Sequence, residues 1–278
     1  MKTEPGLRRV CLAEMLGTFI LVFCGTGAVA IAVFAGALSG LWQVAAVWVL
    51  GVALAVYVTV ETSGAHLNPA VTLALAVFRG FPRGRILPYW IAQLAGAILA
   101  AALVYFLFQG HIAEFERAHN LVRGAAGSEW SAKAFGEYFP DPGGGGRALS
   151  VCQAMLAEAA GTALLLLSIF ALTDPKNSSR PAPALTPLCI GVTVGLIILL
   201  VAPLTQAGLN PARDFGPRLF SYFAGWGRVA IPGPHGGFFV VYILGPLLGG
   251  LCGGGLYQWV APRVLETKQS LKQVDSAA

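Results

Sequence analysis

Six long apolar runs limit what this chain can fold into more than any other feature. An α-helix needs about 20 residues to cross a bilayer, and each run reaches that length. The runs are residues 10–34, 41–60, 86–108, 151–172, 185–204 and 238–260. Charged residues make up 11% of the chain, whereas a soluble domain has about 25%. The sequence therefore predicts an all-α integral membrane protein with six transmembrane helices.

The basic residues predict the orientation of these helices. The first run is too long for the core of a cleavable signal peptide, so we expect it to remain as a helix. Six spans place both termini on one side, and eleven of the eighteen basic residues lie there: Lys2, Arg8, Arg9, Arg79, Arg83, Arg85, Lys176, Arg180, Arg263, Lys268 and Lys272. The positive-inside rule makes that side the cytoplasm of a cell membrane, plasma or bacterial inner. The net charge of +5 reflects this topology, and no nucleic-acid partner is expected.

A tripeptide occurs twice, as Asn68-Pro69-Ala70 and, 142 residues later, as Asn210-Pro211-Ala212. Asparagine is a favoured helix N-cap, and proline fits the first helical turn. The apolar segments that follow, residues 70–78 and 212–220, are too short to span a bilayer. They are predicted to be half-helices.

The two tripeptides belong to a duplicated unit. The sequence AEMLGT around Glu14 recurs as AEAAGT around Glu158, and the intervals from glutamate to asparagine are 54 and 52 residues. Each unit has three spans, so the second copy must be inverted in the membrane, with the tips of the half-helices meeting near the midplane. The predicted domains are a first repeat (1–108), an extracytoplasmic linker (109–149), a second repeat (150–262) and a cytoplasmic tail (263–278). The glycine run at 143–146 is typical of a flexible linker.

The segments before the two asparagines are predicted to be non-helical and to line water, because bare backbone at membrane depth is costly. Carbonyl groups on this path are expected from Gly64, Ala65, His66, Gln206, Ala207 and Gly208. The amides of Asn68 and Asn210 are expected to remain free to donate, and the helix N-termini to repel cations. Arg213 is predicted to point donors into the path, with a buried ion pair as the alternative.

Two intramembrane acids, Glu14 and Glu158, occur once per repeat. We interpret them as structural supports that accept N–H bonds from their own repeat's loop, with a proton relay as the alternative. Glu61 has no counterpart and no assigned role.

His66 either lines the cytoplasmic vestibule or is a packed histidine. The five cysteines lack metal or redox spacing, so no metal, cofactor or enzymatic activity is expected.

The stretches SGAHLNPA (63–70) and GLNPAR (208–213), together with six spans, resemble the aquaporin and aquaglyceroporin family, the major intrinsic proteins. The resemblance covers nearly the whole chain. It implies the aquaporin fold, one pore per chain, a homotetramer in the lipid bilayer, and passive transport without a cofactor. Asp214, which is expected to support the structure, and Arg218 match the glycerol-conducting branch. Tyr242-Ile243 replaces that branch's Pro-Leu pair, and the tyrosine is more similar to the water-selective branch.

The spacing of the family assigns the narrowest ring to Trp48, Ile198, Ala207 and Arg213. This combination is similar to the filter of plant nodulin-26-like channels, whose range includes glycerol, urea and arsenite. Three apolar groups facing one donor suit glycerol, although Trp48 as lipid-facing or core bulk is an alternative. We expect a channel for glycerol, similar small neutral solutes and water that excludes ions and protons. A mainly water-selective channel and an ion-coupled transporter are the alternatives.

Overall fold

The computed structural model describes residues 5–142 and 148–275, and the side chains as far as residue 261. These residues form helices and loops without a strand. The helices are α1 Leu7–Phe34, α2 Leu41–Ser63, α3 Pro69–Phe78, α4 Ile86–Ala118, α5 Glu129–Ala132, α6 Val151–Thr173, α7 Thr186–Thr205, α8 Pro211–Ser221 and α9 Gly245–Asp275. A π-helical segment, Phe239–Leu244, leads into α9. The glycine run 143–146 lies outside the described residues.

Six helices of the described residues are long and apolar enough to cross a membrane. They are α1, α2, α4, α6, α7 and the span Phe239–Ala261, which joins the π-helical segment to α9. They coincide with the six predicted spans. The largest difference is in α4, which continues to Ala118, ten residues into the segment predicted as linker. The chain is a multi-pass membrane protein, as the composition predicts.

The two half-helices α3 and α8 begin at the prolines, as predicted. The side chain of Asn68 accepts a hydrogen bond from the Ala70 N–H at 2.8 Å. Asn210 accepts one from the Ala212 N–H at 3.0 Å. Each asparagine thus satisfies a donor that has no partner inside its own helix. The helices contain ten and eleven residues, too few to cross a bilayer.

The helices pack as two similar halves with exchanged half-helices. Helix α1 contacts α2 and α4, α6 contacts α7 and α9, and α2 contacts α7 across the halves. Helix α3 packs on α9, and α8 packs on α4, so each half-helix rests on the last helix of the other repeat. A Cβ added to Gly96 would collide with the Met15 carbonyl, and one added to Gly249 with the Ala159 carbonyl. These glycines permit the close approach of α4 to α1 and of α9 to α6.

The described part of the linker is folded rather than merely connecting the repeats. Residues 134–139 are buried. The guanidinium of Arg123 bonds Glu116 at 2.8 Å and lies 4.3 Å from the centre of the Trp226 ring. Burial raises the pKa of the linker residue Tyr138 to about 12. The linker therefore packs against the segment that follows α8.

Candidate functional site

Glu14 on α1 holds the loop before the first half-helix. One carboxylate oxygen accepts from the Ser63 hydroxyl at 2.7 Å and from the His66 N–H at 2.9 Å. The other oxygen accepts from the Leu67 N–H and the Gln93 amide, both at 2.7 Å. This fully buried acid has four donors around it, which supports the structural interpretation over a proton relay.

Glu158 on α6 holds the corresponding loop of the second repeat. It accepts from the Thr205 hydroxyl at 2.6 Å, the Gly208 N–H at 2.9 Å and the Leu209 N–H at 2.7 Å. Both oxygens of the carboxylate are thus occupied by its own repeat. The two acids therefore fix the backbone of the two loops in the same manner.

The two loops share an unusual backbone path. Left-handed conformations occur in both loops at non-glycine residues, with φ between 49° and 62°: Ala65, Leu67, Gln206, Ala207 and Leu209. Such conformations are uncommon for residues with a side chain and persist where neighbours enforce them. Tyr89 donates its hydroxyl to the Ser63 carbonyl at 2.9 Å, and Tyr242 donates to the Thr205 carbonyl at 3.0 Å. The loops are therefore held from two sides in each repeat.

The half-helices meet through their asparagines. The Asn68 amide donates to the Leu209 carbonyl at 3.0 Å, and the Asn210 amide donates to the Leu67 carbonyl at 2.8 Å. The expectation that these amides are free is wrong for one N–H of each, which the opposite loop uses. The second N–H of each amide has no hydrogen bond in the described part of the chain. Each asparagine therefore both caps its helix and ties the two loops together.

A cavity of about 500 Å³ runs along the loops and the tips of both half-helices. Its lining includes ten of the predicted site residues: Trp48, Gly64, Ala65, His66, Asn68, Ile198, Ala207, Gly208, Asn210 and Arg213. Gln206, whose carbonyl is also expected on the path, is not part of the lining. Its side chain turns to the linker and accepts a hydrogen bond from the Tyr138 N–H at 2.8 Å. Glu61 and Arg180 line the cavity as well, and both side chains are exposed.

Arg213 and Trp48 lie together on the cavity wall, with the guanidinium carbon 4.5 Å from the centre of the indole ring. Trp48 is only 5% exposed, so it does not face lipid. A Cβ on Gly25 would collide with this ring, so glycine makes room for it. Ile198 and Ala207 line the same cavity. One cationic donor group thus shares a wall with apolar side chains.

Arg213 also takes part in a buried ion pair with Glu137 of the linker. The two interpretations of Arg213 from the sequence are therefore both represented, because its side chain lines the cavity and pairs with an acid. Sequence reasoning missed Glu137. It lies in a segment with no motif, far from Arg213 along the chain, and only the folding of the linker brings the two together.

Asp214 and Arg218 position this part of the linker. Arg218 bonds both oxygens of Asp214, at 2.9 and 3.0 Å, in an i,i+4 pair on α8. The N–H of Glu137 donates to Asp214 at 2.7 Å, and Arg218 donates to the carbonyl of Glu137. These contacts are those expected of a structural support at Asp214, and its partner Arg218 also binds the linker.

Two residues with open interpretations have clear surroundings. His66 lines the cavity and is also packed, with its ring centre 4.5 Å from that of Phe81 and its Nδ1 3.2 Å from the Thr72 hydroxyl. Tyr242 is 1% exposed and is not part of the cavity lining. The hydroxyl of Tyr242 donates to the Thr205 carbonyl, so a structural contact accounts for a tyrosine at this position. The tyrosine is therefore weak support for a water-selective pore.

Half-helices that meet tip to tip beside a cavity, within six spanning helices, are the architecture of an aquaporin-type membrane channel. The family model described as Major intrinsic protein matches residues 1–257. The chain therefore belongs to the major intrinsic protein family, whose members are channels and facilitators rather than enzymes. The resemblance inferred from the two motifs and the predicted aquaporin fold are confirmed.

Several relatives are similar along nearly their whole length. The glycerol uptake facilitator protein of Pseudomonas aeruginosa is 48% identical over 94% of this chain and 91% of the relative. The propanediol uptake facilitator PduF of Citrobacter freundii is 44% identical over 92% and 93%, respectively. The X-ray structure of the aquaglyceroporin from Plasmodium falciparum superposes with a TM-score of 0.81 at 27% identity, covering 94% of this chain and all of that one.

Proposed function

We propose that this protein is a passive channel for glycerol and similar small neutral solutes, and that it also conducts water. The observation that carries the proposal is the cavity wall at Arg213, where one cationic donor lies against Trp48 and lines the same cavity as Ile198 and Ala207. A polyol has a carbon edge and a hydroxyl edge, and this wall offers one surface to each. The names of the glycerol and propanediol facilitators to which the chain is similar support this substrate class.

The backbone of the two loops completes the pathway in this proposal. Carbonyl groups of Gly64, Ala65 and His66 on one side, and of Ala207 and Gly208 on the other, accept hydrogen bonds from the permeating hydroxyl groups. The second N–H of Asn68 and Asn210 donates to their oxygens. The helix N-termini at the same level repel cations, each with about half an elementary charge.

The channel acts in the cell membrane, with both termini in the cytoplasm, as a homotetramer with one pore in each chain. The placement of basic residues supports the orientation. Family membership supports the assembly. Protease protection of a tag placed at either terminus, and the mass of the detergent-solubilised protein, test these two features.

The proposal is tested by solute flux in reconstituted vesicles. Vesicles that contain the protein should swell faster than empty vesicles in gradients of glycerol, urea and arsenite, and no ion gradient should be needed. Equal glycerol rates in the two preparations would reject the proposal. Water flux without solute flux would establish the water-selective alternative, and solute uptake that an uncoupler abolishes would establish a coupled transporter.

A further inference from the structure

The cavity-lining side chain of Arg213 is paired with an acid, Glu137, that is not itself part of the cavity lining. The Glu137 carboxylate pairs with the Arg213 guanidinium, and the two residues are 3% and 5% exposed. Asp214 is the next residue along α8, but Arg218 occupies both of its oxygens. Arg213 and Glu137 therefore form a separate pair whose charges sum to zero.

The position of Glu137 is set by the same half-helix that carries Arg213. Its N–H donates to Asp214 at 2.7 Å, and its carbonyl accepts from Arg218. The next N–H, of Tyr138, donates to Gln206 at 2.8 Å. These contacts hold the linker through its backbone and do not involve the Glu137 side chain. The carboxylate is thus available for a role at Arg213 beyond docking the linker.

We propose that Glu137 is a specificity-determining residue that acts through Arg213 on the cavity wall. Its carboxylate cancels the charge of Arg213, so the constriction selects by size and hydrogen bonding, and the half-helix N-termini supply the repulsion of cations. The proposal rests on the channel function proposed above and deepens it. It adds Glu137, which lies behind Arg213, to the four residues that the family spacing assigns to the narrowest ring.

The pairing has a consequence for variants of Arg213. Arg213→Ala would leave an unpaired carboxylate beside a widened path, and acidic side chains at a constriction favour cations. The resulting leak should therefore prefer sodium over chloride. If Arg213 were the lone charge of the constriction, its removal would leave a neutral opening without that preference.

Ion flux in reconstituted vesicles tests this inference with Arg213→Ala, Arg213→Ala/Glu137→Gln and Arg213→Ala/Glu129→Gln. Glu129 is the matched control because it lies on the same linker and bonds the Gly127 N–H at 2.8 Å, away from Arg213. The single variant and the Glu129 double variant should leak sodium about tenfold faster than chloride, a preference worth about 1.4 kcal/mol. The Glu137 double variant should lose the preference.

The possible results separate this inference from the channel function. Wild-type glycerol flux equal to that of empty vesicles would reject the channel. Normal wild-type flux combined with a non-selective leak, or no ion leak, through Arg213→Ala would reject only the role of Glu137. A sodium preference that persists in Arg213→Ala/Glu137→Gln would also reject the role of Glu137. If the Glu137 double variant does not insert, the ion selectivity of Arg213→Ala decides alone.

Discussion

The two half-helix sites have the same support but different charges. Three residues after the capping asparagine, α3 has Val71 and α8 has Arg213, and eight residues after it, α3 has Ala76 and α8 has Arg218. The features common to both sites are the cap, the buried glutamate, the tyrosine and the left-handed loop. The symmetric part of the molecule thus holds the backbone, and the asymmetric part supplies the charged chemistry.

The buried polar side chains of the first repeat bond to one another, whereas those of the second repeat also bond to the linker. Gln93 donates to Glu14 at 2.7 Å and to Thr72 at 3.1 Å. Gln93 lies four residues after Tyr89, and the residue four after Tyr242 is Pro246, which has no polar side chain. Asp214, in the position that corresponds to Thr72, binds Arg218 and the linker instead. The polar groups of the second repeat therefore hold a further segment, the linker, next to Arg213.

The largest effects should come from removing the buried glutamates. Glu14→Ala leaves four donors without their acceptor and Glu158→Ala leaves three, and each costs about 1–3 kcal/mol when buried and unsatisfied. Unfolding titrations with a denaturing detergent should show a much lower free energy of unfolding for both variants. The loss should be about 1–3 kcal/mol larger for Glu14→Ala than for Glu158→Ala. The exposed Glu114→Ala should unfold like the wild type. Equal losses in the two repeats would contradict the fourth donor's contribution.

The charge pair of α8 can be converted to the residues of α3. Arg218→Ala should lower the free energy of unfolding by about 3–5 kcal/mol, because it leaves a buried carboxylate unpaired. Asp214→Thr/Arg218→Ala, which copies Thr72 and Ala76, should be less destabilised than the single variant. A double variant that is as unstable as the single one would show that loss of the linker contacts, rather than the bare charge, dominates.

The two loops offer a matched test of where solutes are selected. Ala65 and Ala207 both precede their asparagine by three residues, with φ of 49° and 60°. Ala207→Phe should lower the ratio of glycerol to water flux about tenfold, as about 1.4 kcal/mol of added barrier does, because Ala207 lies on the wall of Arg213. Ala65→Phe carries the same backbone strain and should change the ratio less. Equal changes would place the selective region elsewhere.

The smallest effects are expected at the paired tyrosines. Tyr89→Phe and Tyr242→Phe each remove one hydrogen bond to a loop carbonyl, so each should destabilise the protein by about 0.5–1.5 kcal/mol. The glycerol-to-water flux ratio should remain that of the wild type in both. A ratio shifted towards glycerol by Tyr242→Phe and not by Tyr89→Phe would instead support a role for Tyr242 in selecting water.

The sequence predicts the fold well because membrane burial imposes simple rules on it. Helix length and the Asn-Pro starts of α3 and α8 follow from local physics, and the intervals from Glu14 and Glu158 reveal the repeat. Interactions between distant segments are harder to infer. The ion pair of Glu137, the turn of Gln206 towards the linker and the cross-repeat bonds of the asparagines depend on how distant segments fold over one another. No periodicity or spacing encodes them.

The reciprocal bonds between the asparagines and the opposite loops have a wider meaning. The Asn68 amide binds the Leu209 carbonyl as the Asn210 amide binds the Leu67 carbonyl, which is the pattern of an isologous dimer interface. Each half-helix also packs on the last helix of the other repeat. A single three-helix unit would therefore have no closed path of its own. Two separate copies of the unit could enclose a path only as an antiparallel pair, and their union in one chain allows the copies to differ, as they do at Val71 and Arg213.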